Sequence, residues 1–170
     1  KRDDRLDWWR DGQHGHAWAD AATTNNHANP VPLGELAMLK ELLVKHEGIK
    51  LKMYYDSEGV PTIGVGRNLE DVGLTHDEAM YLLNNDLKRV MNECLHEFPW
   101  FADLSEARQC VVASMVFNLG LAGFKKFKKM IAAIEKEDWT EAACQMIDSH
   151  WAAQVKSRAV ELAVMMKGEG

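Results

Sequence analysis

Residues 47–66 constrain the fold of this chain more than any other stretch. Met53, Tyr54, Tyr55, Val60, Thr62, Ile63 and Val65 are strand formers cut by Gly59, Gly64 and Gly66, which predicts a short twisted antiparallel ribbon. The ribbon is entered from a helix. Leu36, Leu39, Leu42 and Leu43 recur at helical spacing, and Gly48 suits the C-terminal cap of that helix. Glu47 therefore falls at a helix end, and Asp56, nine positions on, falls on the turn side of the ribbon. A carboxylic acid near a helix end with apolar neighbours can hold a proton that an exposed carboxylate gives up, so two such environments permit an acid and a base. Thr62, six positions after Asp56, adds a hydroxyl that can donate and accept, which suits orienting a water molecule.

The rest of the chain reads as helices. Thr75 followed by Glu78 forms a capping box and opens a long pattern through Leu82, Leu83, Leu87, Val90, Met91, Cys94 and Leu95. After Pro99-Trp100-Phe101, the residues Val111, Val112, Met115, Val116 and Leu119 predict a buried central helix stopped by Gly120. A helix from Phe124 to about Glu137 is expected next, then one opened by Asp138 with Glu141 three residues on, then an Ala-rich segment through Met166. Residues 1–32 differ in kind: Asp, Arg, His, Asn and Ala mixed with Trp8, Trp9 and Trp18, closing on Asn29-Pro30-Val31-Pro32. They are expected to form a leader or linker, with the tryptophans docking on the body or meeting a neighbouring domain, ahead of one catalytic domain over 33–170.

Composition removes several function classes. With 170 residues the chain holds one well-buried domain or two small lobes. Twenty Lys and Arg against 26 Asp and Glu give a formal charge of −6, which argues against a nucleic-acid partner, whose affinity rests on cationic side chains meeting phosphates. The apolar run from Cys110 to Leu121 is shorter than the roughly 18 residues of a membrane span, so no span is expected. No signal peptide is visible, and a chain starting at Lys1 is expected to be processed or part of a longer protein. Cys94, Cys110 and Cys144 stand alone in apolar helical contexts and read as buried thiols made in a reducing compartment.

Other motifs favour bland readings. Gly64 and Gly66 precede no Gly-Lys-Ser/Thr, so they serve ribbon packing rather than a phosphate. His46 adjoins Glu47, but position 50 is Lys, so no His-Glu-x-x-His metal motif exists; neither metal nor cofactor is expected. Lys125, Lys126, Lys128 and Lys129 form a basic patch, either a solvated helix face or a surface attracting an anionic polymer.

With Glu47, Asp56 and Thr62 in this order and spacing, the chain resembles the phage-type (T-even phage) lysozymes of glycoside hydrolase family 24. Met115-Val116-Phe117-Asn118-Leu119-Gly120, Ala122-Gly123-Phe124, Trp139 to Ala143, and Ser149-His150-Trp151 through Arg158-Ala159 follow the family's later landmarks, so the likeness covers residues 35–166. The resemblance implies an α+β, mainly α fold: a small lobe with the antiparallel ribbon, a larger helical lobe, and a cleft between them. It implies that Glu47 is the general acid, Asp56 the carboxylate that places or activates water, and Thr62 a hydroxyl holding that water. Phe117 and Asn118 then correspond to substrate-contacting positions, and Arg158 to an arginine giving electrostatic support to the acid. Two departures stand out: Arg67 where many relatives carry His, and Pro61 before Thr62 where an aromatic is common.

The activity implied is a muramidase that hydrolyses the β-1,4 bond between N-acetylmuramic acid and N-acetylglucosamine with inversion, without a cofactor. Inversion requires room for a water between the two carboxyl groups. The partner implied is bacterial peptidoglycan, met by an enzyme made in the host cytoplasm and acting on the periplasmic wall. Its setting is either a free endolysin or a domain of a larger virion protein, and the isolated domain is expected to be a monomer. A lytic transglycosylase, and a non-catalytic wall-binding part of a virion, are the two rival readings.

Overall fold

A computed structural model describes residues 33–168 and shows a mainly helical chain with one small antiparallel sheet, which meets the α+β expectation. The chain divides into two compact units, one ending at Val72 and the other beginning at Gly73. The N-terminal segment 1–32, with its tryptophans, lies outside the described residues.

The first unit holds helix α1 (Leu33–Glu47) and strands β1 (Lys50–Tyr55), β2 (Pro61–Gly64) and β3 (Arg67–Asn68), in sheet order β1-β2-β3. Gly48 ends α1 as expected: its φ of 71° is a left-handed value that suits glycine, and its amide donates to the Val44 carbonyl at 3.0 Å. Pairing of Tyr54 with Thr62 and of Thr62 with Asn68 makes β2 the central strand. Pro61 stands at the first position of β2, where a missing amide donor is tolerated, and its carbonyl still accepts from Leu69 at 2.8 Å.

The second unit begins with α2 (His76–Glu97), which opens on the expected capping box: Thr75 Oγ1 accepts from the Glu78 amide while the Glu78 carboxylate accepts from the Thr75 amide at 2.8 Å. A 3-10 turn (Phe101–Asp103) leads into α3 (Glu106–Phe124). Then come α4 (Lys128–Ile134), α5 (Trp139–Ile147), α6 (His150–Val155) and α7 (Ser157–Lys167). Helix α3 packs against α2 and α7, and α5 against α4 and α7.

Helix α3 is the core helix, with Val111, Val112 and Met115 fully buried and Val116 at 1% exposure. By length and composition alone it also qualifies to cross a membrane, an exception to the sequence expectation. A third of it is buried inside the second unit, the stripe of Val111, Val112, Met115 and Val116 included. Phe101, Phe124, Met130, Met146 and Met166 complete the core, each large side chain contributing about 2 kcal/mol when removed from water.

Some boundaries differ from the sequence reading. Gly120 (φ 70°, ψ 159°) breaks α3, but helix resumes as far as Phe124. The expected helix 124–137 shrinks to Lys128–Ile134, because Phe127 leaves helical geometry at ψ 52°. The Ala-rich segment splits at Lys156, a non-glycine residue at φ 49°. Two of the three cysteines are not buried: Cys110 and Cys144 are exposed and only Cys94 is covered. On α3 and α5 these two sit opposite the buried stripes Val111-Val112-Met115 and Ala142-Ala143-Met146, whereas Cys94 shares the stripe of Val90 one turn away.

Candidate active site

Glu47 is the last residue of α1, and the capping glycine turns the chain directly into β1. Its side chain is exposed and, among the described residues, makes no hydrogen bond or ion pair. Its apolar neighbours on the same segment are Leu43 and Val44, one helical turn back, with Val44 half-buried, and Ile49, which is 58% exposed.

Asp56 opens the five-residue connection 56–60 between β1 and β2, whose tip is the three residues Ser57, Glu58 and Gly59. Its amide donates to the Val60 carbonyl at 3.0 Å, and the Gly59 amide returns to the Asp56 carbonyl at 3.1 Å. Gly59 adopts φ 81°, the left-handed conformation that closes a hairpin of this length with a bulge. Asp56 Oδ1 accepts from the amides of Glu58 and Val60, both at 2.9 Å. That two-bond grip, the short-range pattern for which Asp is favoured in turns, fixes the carboxylate plane. Oδ2 has no partner among the described residues.

Thr62 is 4% exposed, being in the central strand. Its hydroxyl donates to the Val60 carbonyl at 3.0 Å. The proton is committed to the backbone, while the oxygen lone pairs stay available to accept. The sheet thus brings Asp56 and Thr62 together on Val60.

The second unit holds the other three candidates. Phe117 is 45% exposed on the outer side of α3. Asn118 is exposed but anchored: its Oδ1 accepts from Trp151 Nε1 at 2.9 Å, and Trp151 is 3% exposed. Arg158, on α7, donates from Nη2 to Ser114 Oγ of α3 at 3.2 Å. Trp151 is in turn held edge-on by Phe127, with ring centroids 6.4 Å apart. Among the described residues no three His, Cys, Asp or Glu side chains gather around a common metal position.

Sequence reasoning passed over three supports. Val60 acts through its backbone, which no side-chain pattern reveals. Ser114 was legible in retrospect as a lone hydroxyl inside an apolar helix. Trp151 stood inside a landmark, but its bond to Asn118 spans 33 residues and has no local signal.

The phage lysozyme family model matches residues 44–163 of the chain. The pre-baseplate central spike protein Gp5 of Enterobacteria phage T4 is 28% identical over 156 residues, covering 75% of this chain and 27% of that protein. The chain thus spans about a quarter of the spike protein's length. A probable T4-type lysozyme of Dictyostelium discoideum is 29% identical over 154 residues, 73% of this chain and 90% of that protein. The SAR-endolysin of Escherichia phage Mu is 28% identical over 142 residues, 77% of this chain and 80% of that protein. With a family model matched across most of its length, the chain belongs to the phage lysozyme family of glycoside hydrolases.

Proposed function

We propose that this protein is a muramidase that hydrolyses the β-1,4 bond between N-acetylmuramic acid and N-acetylglucosamine in peptidoglycan. The carrying observation is the grip on Asp56: two backbone amides fix Oδ1 and leave Oδ2 without a partner among the described residues. A carboxylate fixed on one oxygen has the other to orient and deprotonate an incoming water. Glu47, mobile only in its side-chain torsions at the end of α1, protonates the leaving oxygen. Thr62 accepts a hydrogen bond from the same water, its own proton being held by Val60.

Phe117 and Asn118 contact the sugar chain in this reading. The Trp151 bond presets the Asn118 amide so that its NH2 group is left to donate to a substrate carbonyl, such as that of an N-acetyl group. Arg158 supplies electrostatic support to the acid. The one-step geometry is inverting, with Asp56 acting as base rather than forming a covalent intermediate.

The cellular setting follows from the relatives. Similarity to a phage spike protein, to an endolysin and to free-standing lysozymes supports wall degradation during phage infection, either at lysis or as part of a virion. Product analysis on purified peptidoglycan tests the chemistry. Reducing-end N-acetylmuramic acid that appears first as the α anomer by proton NMR is expected. Anhydro ends would replace this reading with a transglycosylase, and an initial β anomer would replace inversion with retention.

A further inference from the structure

Pro61 is the residue of the first unit whose own surroundings do not explain it. The first position of β2 tolerates the missing amide donor without gaining from it. The turn does not require a proline there: Asp56 to Gly59 closes through the Gly59 amide, and proline favours the second position of such a turn, which is Ser57. Burial does not require it either. Pro61 is half-buried, and Tyr55, directly opposite on β1, is 66% exposed.

What proline alone supplies is a restraint on the residue before it. Its ring crowds the preceding backbone and drives that residue out of helical conformations into extended ones. Here that residue is Val60, which belongs to neither β1 nor β2. In an extended residue the N–H and C=O point to the same side, as in a hydrogen-bonded antiparallel pair. Both groups of Val60 do reach Asp56: the amide donates to Oδ1 at 2.9 Å, and the carbonyl accepts from the Asp56 amide at 3.0 Å. The same carbonyl accepts from the Thr62 hydroxyl at 3.0 Å. A helical conformation at Val60 would turn the two groups apart and break this set. We propose that Pro61 is a positioning residue for Asp56 and Thr62, confining Val60 to the conformation that holds both side chains. The inference rests on the reading of Asp56 and Thr62 as the pair that orients water, and adds a residue that acts on them only through the backbone.

Pro61→Ala and Pro61→Val, each in the full-length chain, test this. Both release Val60, but valine is a strong strand former and returns the missing amide, so β2 is kept. In both variants the Val60 amide is expected to exchange its hydrogen about tenfold faster, read by NMR, as other conformations of Val60 open. On soluble peptidoglycan strands kcat is expected to fall about tenfold with KM within about twofold of wild type, because the base is displaced while the sugar contacts are untouched. In the Asp56→Asn background Pro61→Ala is expected to lower the residual rate by less than about twofold, since the group it acts through is already disabled.

Either variant, shown folded by circular dichroism and melting temperature, that keeps kcat within about twofold of wild type overturns the proposal. So does unchanged exchange at the Val60 amide. So does an equally large loss of rate in the Asp56→Asn background, which assigns the effect to something other than Asp56. The failure of the muramidase reading has a separate signature: wild-type protein that releases no reducing ends, with exchange at Val60 still quickened by both substitutions.

Discussion

Asp56 and Thr62 are locked to one another through Val60, whose carbonyl accepts both the Asp56 amide and the Thr62 hydroxyl at 3.0 Å while its own amide donates to Asp56 Oδ1 at 2.9 Å. The two side chains assigned to the water are thereby set by one peptide unit on either side of a residue with no polar side chain. Thr62→Val keeps the shape and deletes the hydroxyl, which is expected to lower stability by about 1 kcal/mol and the melting temperature by about 2–4 °C. Thr62→Ser retains the donor and is expected to remain close to wild type. Thermal melts of the two variants check this, and equal losses would deny the hydroxyl its role.

Asp56→Asn separates structure from chemistry at the same loop. Asparagine retains an oxygen that accepts from the Glu58 and Val60 amides, so the melting temperature is expected to stay within about 2 °C of wild type. It is a far weaker base, and hydrolysis is expected to fall by at least about a hundredfold. Melting and turnover measured on one preparation test both halves.

The cysteines differ in reactivity by position. Burial, with a smaller contribution from the Glu93 charge, pushes the Cys94 thiol up to about 11. At pH 8 it stays protonated as well as covered, whereas Cys110 and Cys144 are exposed. A thiol-reactive disulfide reagent is expected to titrate two thiols in the native protein and the third only in denaturant. Mass mapping of the modified sites identifies which remains.

Lys156 carries backbone strain between α6 and α7, with φ 49° and ψ −116°, a region that side chains disfavour and glycine tolerates. Lys156→Gly is expected to stabilise the protein by about 1 kcal/mol, measured by chemical denaturation. No gain, or a loss, would show that the strain is smaller than the chain entropy that glycine adds to the unfolded state.

A pH effect on stability follows from Glu97. The hydrogen bond and charge of Lys125 hold its carboxyl below the ordinary carboxylate value. The folded protein therefore binds this proton less readily than the unfolded chain. The stabilisation is fully present above the ordinary carboxylate value and is lost as pH falls through the lowered, folded value. Lys125→Met is expected to return the Glu97 titration midpoint upward, read by carboxyl carbon NMR.

Local signals in the sequence carried much of this fold. The Gly48 cap, the Thr75–Glu78 box and the Asp138 cap each depend on residues within a few positions of one another, and each forms where expected. What escaped depended on distant partners or on backbone. The break at Lys156 has no glycine or proline to announce it. The exposure of Cys110 and Cys144 depends on which face of each helix finds a neighbour, which composition does not encode. At the candidate site, residues 47, 56 and 62 were marked out by the family resemblance, with which their residue types agree. The Val60 knot, the Trp151 bond to Asn118 and the Ser114 partner of Arg158 required the folded chain.

In the proposed mechanism Glu47 donates the proton that releases the sugar. The direct measurement is the rate at which purified peptidoglycan gains reducing ends with wild-type protein and with Glu47→Gln at equal concentration. Because Glu47 is exposed and makes no hydrogen bond or ion pair among the described residues, the variant is expected to fold unchanged and to lose at least about a hundredfold in rate. A folded Glu47→Gln protein that retains more than about a tenth of the wild-type rate would rule Glu47 out as the proton donor, because a missing general acid slows this chemistry by far more than that.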